Sequence, residues 1–191
     1  MSARERILDA AADIMRRRGG AGATTKEIAK AAGYSEALLY KYFRDKEELL
    51  LSVLKERMPP STSMGVPGEG TVESNLVAIV HGGLRFYRRA FPLMASMVAQ
   101  PRLMTATRDS LRKYGAGPHA PVLALARYLD AERGLGRVAA GADTAAVAAL
   151  LMGACFQQGF LHYFAEGDDG PDLPESVARD LVRPVLAELL P

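Results

Sequence analysis

The chain has no tryptophan, one cysteine and three histidines in 191 residues. A lone thiol, Cys155, builds no disulfide framework, and that fits a reducing compartment. His81, His119 and His162 are scattered, with no HExxH and no pair at i, i+4, so no zinc site is indicated. The pattern G-x-S-x-G is missing. The glycine-rich stretch "GVPGEG" at 65–70 lacks the lysine and the preceding strand of a phosphate loop. Cys155 stands between Ala154 and Phe156, where burial and inertness are favoured over a nucleophile. These absences argue against an enzyme and call for no metal or cofactor. Strand-like alternation of Val, Ile and Thr is also absent. The longest apolar run, 145–156, has 12 residues, short of the roughly 18–20 that cross a bilayer. The opening "MSARERILDAAADIMRRR" has no apolar core of a secretion signal. The expectation is a soluble cytoplasmic protein with no membrane contact.

Helical patterning is what the sequence does contain. Apolar residues Ile7, Leu8, Ala11, Ile14 and Met15 recur at helical spacing over 3–18, and "GGAG" from Gly19 is expected to stop that helix. Thr24 or Thr25 caps a second helix ending at Gly33, and Ser35 caps a third over 36–43. Asp45, with Glu48 three residues on, caps a fourth reaching about residue 58. "PPSTSMGVPGEG" follows as a linker. Helices are then expected over 72–90, 91–99, 102–114, 120–132, 143–165 and 175–190, with "EGDDGPDLP" as a surface loop. The chain divides into 1–58, a linker 59–71, and 72–191. Residues 1–58 carry 12 Lys/Arg against 9 Asp/Glu, and 59–191 carry 12 against 13, so the basic excess is N-terminal.

Within 24–50 the pattern is that of a helix-turn-helix. Ala29 is small enough for close approach, Gly33 suits a left-handed turn, and Ile28, Ala32, Leu39 and Phe43 return to one core. The third helix would then show Glu36, Ala37, Tyr40, Lys41 and Tyr42 to solvent. Tyrosine hydroxyls and lysines reach phosphates, as do Thr25 and Lys26 at a helix start and Lys46 at the start of the fourth helix. Taken singly, each has an ordinary reading as packing or solvated surface. Together and in register they point to a helix that enters the DNA major groove.

The stretch "TTKEIAKAAGYSEALLYKYFRDKEELLLSVL" resembles the DNA-binding region of the tetracycline-repressor (TetR) family. The family's aromatic-rich stretch is matched by Leu39, Tyr40, Phe43, Lys46 and Leu49. The resemblance implies phosphate contacts from Thr25, Tyr40, Tyr42 and Lys46, and base-edge contacts from Lys26, Glu36, Ala37 and Lys41. Tyr42 stands where the family often has histidine. Glu36 either accepts from a cytosine amine or leans away from the DNA. A head of this size needs a second copy on a half-site roughly 34–36 Å away, so a homodimer is implied.

Beyond 72 the sequence is less specific. The helix 143–165 is apolar on two sides, with Ala145, Ala149 and Gly153 on one and Val147, Leu151, Ala154 and Leu161 on another. The last helix adds Val177, Leu181, Val185 and Leu189. The last two helices of two subunits would form a four-helix interface, the alternative being monomer core. Phe86, Met94, Met97, Phe156 and Phe160 suit an apolar ligand wall, with Gln157, His81 and His162 as polar anchors, unless they are ordinary core. Arg85, Arg88 and Arg89 suit an anionic head group, a solvated face or an interdomain contact. The expected architecture is all-α: a three-helix head and a helical ligand-binding and dimerisation domain. The expected function is a one-component transcriptional regulator, a repressor, whose dimer binds a pseudo-palindromic double-stranded operator and is released by a small, largely apolar molecule. The alternative is an all-helical dimeric ligand- or protein-binding module without specific DNA binding.

Overall fold

The computed structural model describes residues 1–57, 64–113, 117–167 and 169–191. Among these residues all regular structure is helical: α1 Ala3–Gly22, α2 Thr25–Ala32, α3 Glu36–Tyr42, α4 Lys46–Glu56, α5 Val72–Val98, α6 Pro101–Lys113, α7 Ala120–Gly134, α8 Thr144–Glu166 and α9 Glu175–Leu189. The chain forms two compact units, Met1–Met58 with Arg89–Gly117, and Pro59–Arg88 with Pro118–Pro191. This cuts the chain differently from the expected 1–58, 59–71 and 72–191. Residues 89–117 cluster with the head because Leu93, Met97 and Leu103 are buried in the same apolar core as Ile7, Leu39 and Leu50.

The head is built on side-chain caps. Ser2 and Glu5 form a capping box at the start of α1, and Thr24 and Glu27 form another at the start of α2. Ser35 accepts from the Leu38 amide at 3.2 Å and opens α3. Asp45 accepts from the Glu48 amide at 2.7 Å and opens α4, while the Glu48 carboxylate reaches one residue further back, to the Arg44 amide at 2.8 Å. The turn after α2 takes φ +80° at Gly33, with the Gly33 amide bonded to the Lys30 carbonyl and the Tyr34 amide to that of Ala29. A left-handed residue at this place is what lets two short helices meet sharply. Ile28, Ala29, Ala32, Leu39 and Phe43 are buried as the pattern required. Truncating Leu39 to alanine would cost about 2–5 kcal/mol. Two boundaries differ from expectation. The glycines at 19–22 do not stop α1, which continues to Gly22; glycine weakens a helix without forbidding it, and buried Ala23 ends it in an extended conformation. Residues 91–99 are not a separate helix: α5 runs through Pro92 to Val98.

In the second unit, α5 up to Arg88, α7, α8 and α9 share one core that includes Leu76, Leu84, Leu129, Met152 and Val182. Asp143 caps α8 by accepting from the Ala146 amide at 2.9 Å. By length and composition α8 is apolar enough to cross a membrane, although no run within it reached that length. Thr144, Val147, Ala148, Leu151, Met152, Cys155 and Gly159 bury one side of it inside the unit. Part of the expected linker, 59–63, lies outside the described residues. The remainder, 64–71, is tied down: the Asn75 side-chain amide donates to the Glu69 carbonyl at 2.8 Å, and Arg137 donates to the Gly70 carbonyl at 2.7 Å.

Candidate nucleic-acid interface

The exposed side of α3 follows from which of its residues the core takes. Leu39 is fully buried, so Ala37, Tyr40 and Lys41 are left outside, with Tyr40 47% exposed. Tyr42, the last residue of α3, is 43% exposed. Lys26 in the first turn of α2 is exposed as well. Lys46, the first residue of α4, is half-buried, and that desolvation pulls its ammonium below the ordinary lysine range, against an opposing pull from Glu47.

The first residue of α2 is bonded to α3. Thr25 Oγ1 donates to Glu36 Oε1 at 2.5 Å and lies 3.2 Å from the Tyr40 hydroxyl. Of the eight residues expected at the DNA, the structure brings Thr25, Glu36 and Tyr40 together by hydrogen bonds. Lys26, Ala37, Lys41 and Tyr42 stand exposed on the same two helices. The bonds within this trio were not legible in the sequence, because separations of 11 and 15 residues acquire meaning only once the turn at Gly33 is formed. The arrangement offers hydroxyl and ammonium donors beside one fixed acceptor, which suits the edges and backbone of a duplex.

The six residues expected at a ligand do not form one set. Met94 and Met97 pack in the core of the head unit, where Thr107 donates to the Met97 sulfur at 3.5 Å. Phe86 and Phe156 lie in the second unit and are joined through Tyr87, with edge-on ring centroids 5.3 and 5.6 Å apart. Gln157 and Phe160 are exposed on α8, on the side that also shows Leu150 and Phe164. The small-residue strip Ala145, Ala149 and Gly153 is likewise exposed.

His81 and His162, expected as polar anchors, hold the loop after α8 instead. Their Nε2 atoms lie 3.1 Å from the Leu173 carbonyl and 2.6 Å from that of Pro171. Arg88, 6% exposed, donates to the Gly170 carbonyl, and Arg85 and Arg88 both face Asp172 at 3.4 and 3.5 Å. Pairing with a carbonyl and a carboxylate offsets the cost of burying the Arg88 guanidinium.

Residues 7–53 match the model of "Bacterial regulatory proteins, tetR family". The chain is 38% identical over 52 residues to the fatty acid metabolism regulator protein of Bacillus subtilis (strain 168), and spans 27% of that protein's length. Over nearly the whole chain the fold is similar to solved structures. One is the transcriptional regulator FadR from Bacillus subtilis in complex with stearoyl-CoA, at TM-score 0.67 and 18% identity, covering 96% of this chain and 97% of that one. Another is a SmeT–triclosan complex, at TM-score 0.68 and 22% identity, covering 100% and 93%.

Proposed function

We propose that this chain, whose N-terminal head belongs to the tetR family of bacterial regulatory proteins, is a one-component transcriptional regulator. The observation that carries this reading is the donor-rich outer side of α3, joined to the start of α2 through Thr25 and supported from behind by Leu39 and Phe43. In this reading the exposed side of α3 enters the major groove, and Lys26, Lys41, Tyr42 and Lys46 supply base-edge and phosphate contacts. The simplest action is repression by occupying a pseudo-palindromic operator in the cytoplasm.

A homodimer through α8 and α9 belongs to the same reading. Its support is the apolar side of α8 that the chain does not cover: Leu150 is 66% exposed and Phe164 79%. An interface of standard size buries roughly 800 Å² on each partner, and side chains of this kind at its centre supply most of the affinity. The burial of the opposite side of α8 in the core favours a subunit interface over a membrane for this surface.

The effector is read as a small, largely apolar molecule held in the second unit, with Phe86, Tyr87 and Phe156 as its aromatic wall. Two proteins of similar fold are complexed with stearoyl-CoA and with triclosan, ligands with a large apolar part. Such a molecule releases the operator only by binding one conformation of the dimer better than the other, and a difference of about 1–3 kcal/mol is ordinary coupling. The reading is tested by selecting bound duplexes from a random pool with the full chain and titrating the winner at several salt concentrations. The expected result is an inverted repeat bound with steep salt dependence. Weak binding with no enriched sequence would assign the chain to a module without specific DNA recognition.

A further inference from the structure

The hydrogen bonds at the start of α3 bear on which base pair the head prefers, provided the operator-binding reading above holds. A threonine hydroxyl has one proton, and Thr25 commits it to the Glu36 carboxylate. Tyr40 is therefore the donor across the 3.2 Å separation to Thr25 Oγ1. The order runs from Tyr40 to Thr25 to Glu36 and ends on Oε1. Its anchor, Thr25, is free for this task because Thr24 supplies the cap of α2. Glu36 is only partly buried, and Oε2 has no protein donor among the described residues.

A carboxylate held this way is an acceptor beside the outer side of α3. In the major groove the donors among base edges are the N4 amine of cytosine and the N6 amine of adenine. Adenine sets its N7 acceptor next to that amine, which opposes a carboxylate; cytosine carries no acceptor of its own on that edge. Phosphate oxygens repel the same group. We propose that Glu36, held in place by Thr25 and Tyr40, is a specificity-determining residue that accepts a hydrogen bond from N4 of a cytosine at one position of each operator half-site. Thr25 and Tyr40 are then positioning residues for that readout, a different task from the direct phosphate contact the family resemblance implies for them.

The experiment selects duplexes from a random pool with the full-length wild type and with Glu36→Ala, Glu36→Gln, Thr25→Ala and Thr25→Ser. Affinities are then measured on the wild-type winner and on the three duplexes that carry another base pair at that position. The wild type is expected to require one C·G pair per half-site, discriminating by about tenfold against the other pairs. Glu36→Ala should lose that requirement and keep the rest of the sequence. Glu36→Gln should move the preference towards A·T, since a glutamine pairs with N6 and N7 of adenine. Thr25→Ala should weaken discrimination at that same position alone, and Thr25→Ser should restore it. The proposal is overturned if Glu36→Ala selects the wild-type sequence at every position. It is equally overturned if Glu36→Ala binds all duplexes more tightly with unchanged preference, which would make Glu36 a source of phosphate repulsion. If the wild type enriches nothing, the operator-binding reading itself falls, a failure visible without the variants.

Discussion

A methyl group on Gly159 would lie 2.8 Å from the backbone nitrogen of Arg88. That distance is too short for any side chain, so α8 and α5 touch backbone to backbone at this point. Gly159→Ala must push the helices apart and is expected to destabilise the protein by about 1–3 kcal/mol. Gly82 is also inside α5, but a methyl group there meets nothing. Gly82→Ala should therefore stabilise by about 0.5–1 kcal/mol through helix propensity alone. Urea unfolding of the two variants at one protein concentration decides the matter, and equal midpoints would refute the close approach.

Glu132 is fully buried and accepts from the Tyr128 hydroxyl at 2.7 Å, Arg137 Nε at 3.1 Å and the Gly68 amide at 3.3 Å. Glu132→Ala strands three donors and is expected to cost about 3 kcal/mol or more. Tyr128 gives the same cluster a pH signature. Burial, and then the bond to Glu132, raise its phenol from 10.0 to about 12. The folded state thus holds this proton more tightly than the unfolded state. The stabilisation is complete below pH 10 and is lost as pH rises to about 12. Cys155 and Tyr87 are raised as well, so the diagnostic quantity is the difference between wild type and Tyr128→Phe across that window. A difference that stays constant with pH would remove Tyr128 from the account.

How much of this was legible in the sequence depends on the range of the interaction. Caps at Ser35 and Asp45, the turn at Gly33 and the burial of Leu39 are local, and residue type with spacing revealed them. Long-range partners were not legible. Gly153 stands on the small-residue strip that spacing picks out, whereas Gly159, which touches α5, carried no distinguishing neighbour. Met94 and Met97 suited a ligand wall by composition, yet they are drawn into the head core because α5 continues through Pro92. A proline weakens a helix locally, and tertiary packing overrides it. Glu36 was left with two opposite readings because its partner Thr25 is on another helix.

Cys155 is buried against the Val80 carbonyl at 3.5 Å, and burial pushes its thiol up to about 12. The thiolate is the reactive form, so at pH 8 the native protein should leave a disulfide reagent unreacted over the time in which a denatured sample reacts fully. Rapid labelling of the native protein would mean that the core side of α8 opens readily.

Lys41 and Lys46 should fail in different ways on the selected operator. Lys46, at the start of α4, is assigned to phosphate, and a phosphate contact carries no sequence information. Lys46→Ala should weaken every duplex by a similar factor and reduce the slope of log affinity against log salt by about 1. Lys41 is exposed on α3 and is assigned to a base edge, where a lysine donates to guanine O6 and N7. Lys41→Ala should therefore relax the preference at one position while the other positions keep theirs. Neither variant should change the oligomeric state, since neither residue lies on α8 or α9, the helices proposed to form the dimer. If Lys41→Ala instead lowers affinity uniformly and leaves every base preference intact, α3 does not present its outer side to the base edges, and the docking geometry proposed for the head is wrong.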